Sequence, residues 1–183
     1  MAGASAHTAA EGRLVYQCET VIDPPVTRQW VSIKVFTLPA DVGDQTALAL
    51  MIAHVRYRDS YASSIFEDAK TIHGPYRLSA ITPETFTVVN AADVDTAIRN
   101  WAEHVIRDWD GDFVSWPKAE REAMDRQIYP RIQRATVIYR LPDMRATAQH
   151  DWGDVVGSEA GFHEFVVIDR TACELALVVA SDD

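Results

Sequence analysis

The sequence predicts an α+β fold: an antiparallel or mixed sheet of about seven strands with two or three helices packed on one face. Three observations carry that expectation. Strand-like runs cluster at both ends of the chain, and helical periodicity lies between them. Near the C-terminus, two runs rich in β-branched and aromatic residues, 161–168 and 173–180, are joined by Asp169-Arg170-Thr171-Ala172 and read as a hairpin. In the second arm Leu175, Leu177 and Val179 point one way while Ala176, Val178 and Ala180 point the other. A strand apolar on both faces belongs in the centre of a sheet covered on both sides, because at an edge it would invite association.

Composition bounds the possibilities. A chain of 183 residues fits one domain with a sizeable core. Residues 1–11 are small and polar and read as a flexible lead, leaving 12–183 as a single domain with no low-complexity linker inside it. With 48% hydrophobic and 24% charged residues the chain has the balance of a folded globular protein rather than a disordered one. The net charge of -10 argues against nucleic acid as a partner, since phosphate backbones are held by Lys and Arg that displace counterions. It also disfavours an anionic membrane surface. A basic protein partner, a cationic ligand or plain solubility remain open. Of the 17 cationic residues only Lys34, Lys70 and Lys118 are lysine; with abundant Ala, this Arg bias is associated with GC-rich bacterial genomes. Two cysteines, Cys18 and Cys173, are too few for a disulfide framework. Both fall in expected strands, so they are possible neighbours in one sheet, and buried free thiols in a reducing cytosol are the expectation. The start of the chain lacks the pattern of a secretory signal. The longest apolar run, 47–53, is far too short for a bilayer, so a cytoplasmic location is expected.

Taken in order, residues 13–22 alternate, with Leu14, Tyr16, Cys18, Thr20 and Ile22 on one side, and Asp23-Pro24-Pro25 ends that strand. Residues 29–38 form a second strand with Val31, Ile33 and Val35 inward and Ser32 and Lys34 outward. The stretch 46–57 holds helix-favouring Ala, Leu and Met, but its alternating end 52–57 and the preceding turn favour a strand. Residues 60–73 show helical spacing of Ile65, Phe66, Ala69 and Ile72, ended by Gly74-Pro75. Two short strands follow at 76–82 and 85–89. Asn90 then caps a helix whose stripe is Val94, Ile98, Trp101, Val105 and Trp109, with Asp93 and Asp95 in its first turn. A further helix begins near Pro117 and ends at Tyr129, before Pro130. Residues 134–141 form a strand with Val137, Tyr139 and Leu141 inward, and 142–161 are irregular, with room for a short strand near Val155.

The search for chemistry yields candidates rather than motifs. His163 and Glu164 are suitable parts for proton transfer, but as strand neighbours they point to opposite faces. His54 and Arg56 extend the apolar face of Leu48, Leu50 and Ile52, which is how the rim of a small-molecule pocket looks; the alternative is that the strand leaves the core at Ala53 and both meet solvent. His150, Asp151, Asp154 and His163 are metal-ligand types without zinc spacing. Asp108, Asp110 and Asp112 begin like a calcium loop, but Phe113 and Ala119 stand where the required Gly and Glu should be. No nucleophile elbow, phosphate loop or dinucleotide fingerprint is present, and neither a cofactor nor a metal is expected. Among the Trp residues less constrained by a helix stripe (Trp30, Trp116, Trp152), Trp30 shares a face with Ser32 and Lys34 and is the expected interface residue.

Two functions of different kind therefore stand as expectations. The first is a non-catalytic binding or protein-interaction module that forms a homo-oligomer or meets a basic protein partner. The second is a small-molecule-binding protein or enzyme with a pocket at the sheet rim lined by His54, Arg56, Tyr57 and His163, which requires His54 and His163 to reach one cavity.

Overall fold

A computed structural model describes residues 13–25, 27–61, 69–104, 106–107 and 113–182. Along the chain run β1 (Val15–Ile22), β2 (Gln29–Thr37), α1 (Asp44–Ala53), β3 (Ile72–His73), β4 (Tyr76–Arg77), β5 (Thr87–Val89), α2 (Ala91–Glu103), β6 (Ile106–Arg107), β7 (Phe113–Val114), α3 (Lys118–Gln127), α4 (Tyr129–Arg134), β8 (Val137–Leu141), α5 (Arg145–Ala148), β9 (His163–Asp169) and β10 (Glu174–Asp182). Six strands make one antiparallel sheet in the order β1-β2-β10-β9-β8-β5; β3–β4 and β6–β7 are separate two-stranded ribbons. The fold is α+β, as the distribution of patterns predicts.

The C-terminal hairpin is the centre of the sheet. β10 pairs with β9 along one edge and β2 along the other, and Leu175 to Ala180 are fully buried. Burying a Leu or Val side chain completely contributes about 1.5–3 kcal/mol each, so these positions dominate sheet stability. Two layers result. On one face α2, α3 and α4 place Val94, Ile98, Trp101, Met124 and Ile132 against Ile33, Val167 and Val178. On the other, α1 and the irregular segments around Tyr57, Tyr76 and Phe162 cover Phe36, Val166, Leu177 and Val179.

α2 begins as its sequence dictates: the Asn90 side chain accepts a hydrogen bond from Asp93 N at 2.8 Å. It ends earlier than expected, at Glu103, and Trp109, Asp108, Asp110 and Asp112 lie outside the described residues, as does Val105. α3 starts after Pro117 as expected. Pro130 does not stop the chain; it sits in the first turn of α4, where a missing N–H costs nothing.

Several expectations are corrected. Residues 46–57 are not a strand but α1 followed by a 3-10 turn, Val55–Tyr57; Ala, Leu and Met are strong helix formers, and the apolar residues recur on nearly all sides, so alternation and helical spacing both fit. β1 does not keep one face inward. Its register with β2 shifts between Tyr16 and Cys18, a bulge that turns Tyr16 toward Phe36 on one face of the sheet and Ile22 toward the helices on the other. Ser32 and Lys34 do not face solvent; both are buried. Finally, Cys173 lies in the β9–β10 turn with positive φ rather than in a strand, and Cys18 is exposed on β1. Of the helix expected over 60–73, residues 62–68 lie outside the described set, Ala69–Thr71 is a 3-10 turn and Ile72–His73 is β3. No strand forms near Val155. Among the described residues no helix is long and apolar enough to cross a membrane.

Candidate functional site

The face of the sheet covered by α1 and irregular segments carries charges that the apolar pattern of its strands would not lead one to place there. Lys34 on β2 and Glu164 on β9 both point into it, and both are buried. A buried charge is tolerable only when paired and hydrogen-bonded, and the surrounding loops supply the partners. The Lys34 ammonium donates to Asp59 Oδ2 at 2.6 Å, to the Arg56 carbonyl at 3.1 Å and to Tyr61 Oη at 3.1 Å, so its three donors are used. Glu19 on β1 stands 3.8 Å away, and the Tyr61 ring lies under the ammonium at 4.5 Å. Asp59 holds its own loop as well: its Oδ1 accepts from Tyr61 N at 3.0 Å, which supports Tyr61 at φ 53°.

Glu164 forms the deeper half of the cluster. Its Oε1 accepts from Tyr57 Oη at 2.9 Å, and its Oε2 lies 2.5 Å from His73 Nε2. The other ring nitrogen, His73 Nδ1, donates to the Tyr57 carbonyl. A carbonyl oxygen only accepts, so Nδ1 carries a hydrogen, and one further proton lies in the Nε2–Oε2 contact. The Tyr57 and His73 rings stack at 3.6 Å with a 7° tilt, and Tyr61 meets His73 edge-on. Burial, then the Glu164 carboxylate, pushes the Tyr57 phenol well above its ordinary range; burial and Asp59 do the same for Tyr61. Both phenols therefore stay protonated; Tyr57 donates to Glu164, and Tyr61 Oη accepts from Lys34.

The side chains of His73 and Glu164 are wholly inaccessible, so this pair cannot meet a substrate in this conformation. At the outer end of the cluster, among the described residues, a cleft of about 320 Å³ is lined by Glu19, Lys34, Val55, Arg56, Arg58 and Asp59. The arrangement clamps residues 54–61 and the β3–β4 turn onto the sheet. Gly74 in that turn has φ 50°, and a Cβ there would lie 2.5 Å from the Phe162 ring, so only glycine fits.

The pocket expected from the sequence is divided by the sheet. His54 is half-buried edge-on to Phe36, its Nδ1 accepts from Arg56 N at 3.0 Å, and burial followed by Arg56 lowers its pKa. Arg56 is exposed and lies over the Tyr16 ring at 4.7 Å. Tyr57 is inside the cluster. His163 is on the opposite, helix-covered face, where a separate cleft lined by Trp101 and His104 opens beside it, and Nε2 lies 3.1 Å from the Ala160 carbonyl. Burial, chiefly, lowers its pKa. Among the described residues His54 and His163 thus share no cavity, because successive strand residues such as His163 and Glu164 face opposite layers. Trp30 is half-buried and stacks on Tyr61 at 5.3 Å, which makes it part of the cover of the cluster. His73 carries no signal along the chain; Lys34 carries one, a lysine inside an otherwise apolar run, as Glu164 does in another.

No family model, curated protein or solved structure matches this chain. Its chemistry is accordingly read from its own geometry. Among the described residues no group of three or more His, Cys, Asp and Glu side chains is placed to hold a metal ion.

Proposed function

We propose that the protein is a non-catalytic protein-interaction module that self-associates, with Trp152 as the anchor of the interface. The observation that carries this reading is the display of Trp152, 63% exposed, from a segment without regular structure that is nevertheless tied down along its length. His150 N donates to the Pro75 carbonyl at 3.1 Å and His150 Nε2 to the Gly74 carbonyl at 3.0 Å. Arg145 donates to the carbonyls of Val156 and Gly157, and Asp182 accepts from Glu159 N and Ala160 N at 2.7 and 2.8 Å. At Gly153 a Cβ would lie 2.3 Å from the Pro75 carbonyl oxygen, so the backbone itself is docked. A large aromatic side chain that an ordered loop leaves largely exposed loses little entropy on binding, which is the character of an interface hot spot. The non-catalytic part of the reading is supported by the buried cluster, whose ammonium, carboxylate and imidazole groups are occupied by one another. Two free thiols, Cys18 and Cys173, agree with a reducing compartment such as the cytosol.

The test is size-exclusion chromatography with light scattering. The native chain should run as an oligomer that strengthens with added salt, because copies of net charge -10 repel each other less when screened. Trp152→Ala should dissociate it, and Trp152→Phe, which keeps a large aromatic ring, should retain it. A monomer at every salt concentration would remove self-association; the reading would then rest on a basic partner complementary to the exposed Asp151 and Asp154 that flank Trp152.

A further inference from the structure

We propose that the cleft floored by Lys34 binds a small oxyanion, a carboxylate or phosphate group, between the guanidinium groups of Arg56 and Arg58. This site goes beyond the interaction reading and uses none of its residues.

The cleft holds about 320 Å³ and is lined by three cationic side chains and two carboxylates. Both carboxylates are engaged inward. Asp59 and Glu19 lie 2.6 and 3.8 Å from the buried Lys34 ammonium, whose side chain is only 2% exposed. Glu19 also accepts from Ser32 Oγ at 2.7 Å. The other two cationic side chains that line it have no such match: neither Arg56 nor Arg58 forms an ion pair among the described residues. The cleft is therefore a local inversion of sign on a chain of net charge -10.

Chemistry selects the ligand class. A cation would have to compete with Lys34 for carboxylates that are already paired, while meeting two arginines. A neutral molecule would leave both guanidiniums without a counter-charge. An oxyanion answers them directly, since the planar fork of Arg matches carboxylate and phosphate oxygens with two parallel hydrogen bonds. Arg56 is also held in place by its contact with Tyr16, 4.7 Å from guanidinium carbon to ring centre, so part of the ordering cost is met before the ligand arrives. Exposed Val55 gives the rim an apolar edge, suited to a small organic carbon skeleton.

The experiment follows the Nε–H resonances of Arg56 and Arg58 by NMR while the full chain is titrated with sodium phosphate, sodium succinate, or sodium chloride at matched ionic strength. Saturable shifts with phosphate or succinate that chloride does not reproduce are expected. Phosphate alone would assign a phosphoryl ligand, succinate alone a carboxylate, and both a general oxyanion site. Arg58→Gln and Arg56→Gln should each weaken binding by about tenfold or more, the loss of a charge-assisted hydrogen bond. Both side chains are exposed, so Arg58→Gln should melt with the native protein and Arg56→Gln, which also gives up the Tyr16 contact, slightly below it. Shifts no different from chloride, or binding undiminished in both variants, would overturn the proposal.

Discussion

The two faces of the central sheet are sealed by different physics. On the helix side α2, α3 and α4 present apolar stripes to Ile33, Val167 and Val178, and nearly all the stabilisation is non-directional burial. On the other side, among the described residues, α1 and the single-turn α5 are supplemented by turns and short ribbons whose apolar residues do not form a stripe. Loops cannot be held by periodicity, and there Lys34, Glu164, His73 and the two buried tyrosines act as directional fasteners. A layer of helices needs little beyond pattern. A layer of loops needs specific polar bonds, and each of those is costly to lose.

The largest effect that would break this comparison is on the loop side. Glu164→Ala leaves His73 and Tyr57 buried with their donors unmatched and should destabilise the fold by about 3–5 kcal/mol in urea denaturation, as removal of one member of a buried pair does. If the loss is below that of an ordinary surface substitution, the fastener account is wrong. On the helix side the nearest polar counterpart is Gln29, which donates to the Trp101 carbonyl at 2.6 Å and accepts from Trp116 Nε1 at 2.7 Å. Gln29→Ala should cost about 1–3 kcal/mol, the penalty for neutral groups left unpaired. A cost equal to that of Glu164→Ala would erase the distinction between the faces.

The smallest effect concerns His163, also on the helix side. Its folded pKa lies below the ordinary 6.5, mainly because burial disfavours the imidazolium. The unfolded chain therefore binds more protons just below pH 6.5, so stability rises with pH there and falls as pH drops through that interval, levelling off below the folded value. His163→Gln should flatten this slope in denaturation curves collected across mildly acidic pH, leaving a residual slope from His54, whose pKa is lowered in the same direction.

How much was legible follows the same division. The terminal hairpin, the Asn90 cap and the stripe of Val94, Ile98 and Trp101 announce themselves because each is local and periodic. α1 was ambiguous because Ala47, Leu48 and Met51 satisfy helical spacing while Leu48, Leu50 and Ile52 satisfy alternation. The β1 bulge at Gln17 leaves no mark in composition, yet it reverses which residues face the helices. The buried cluster was least legible. It draws on residues 34, 57, 59, 61, 73 and 164, and Lys34 and Glu164 read as solvent-facing or indeterminate until the loops that receive them are in place. His54 and His163 were grouped as rim residues, but the strand parity that sends Glu164 to one layer sends His163 to the other.

The position of β10 also bears on the order in which the protein can form. During synthesis the β1–β2 hairpin leaves the ribosome before β10, yet β10 is the partner for the inner edge of β2, with a register that runs from Glu174 opposite Thr37 to Asp182 opposite Gln29. Until those residues emerge, the nascent hairpin carries an open, valine- and isoleucine-rich edge, and every element translated in between waits beside an unfinished sheet. Long-range closure of this kind is slow and exposes apolar surface, so the interval between the two strands is where a nascent chain of this sequence would most need shelter from its neighbours.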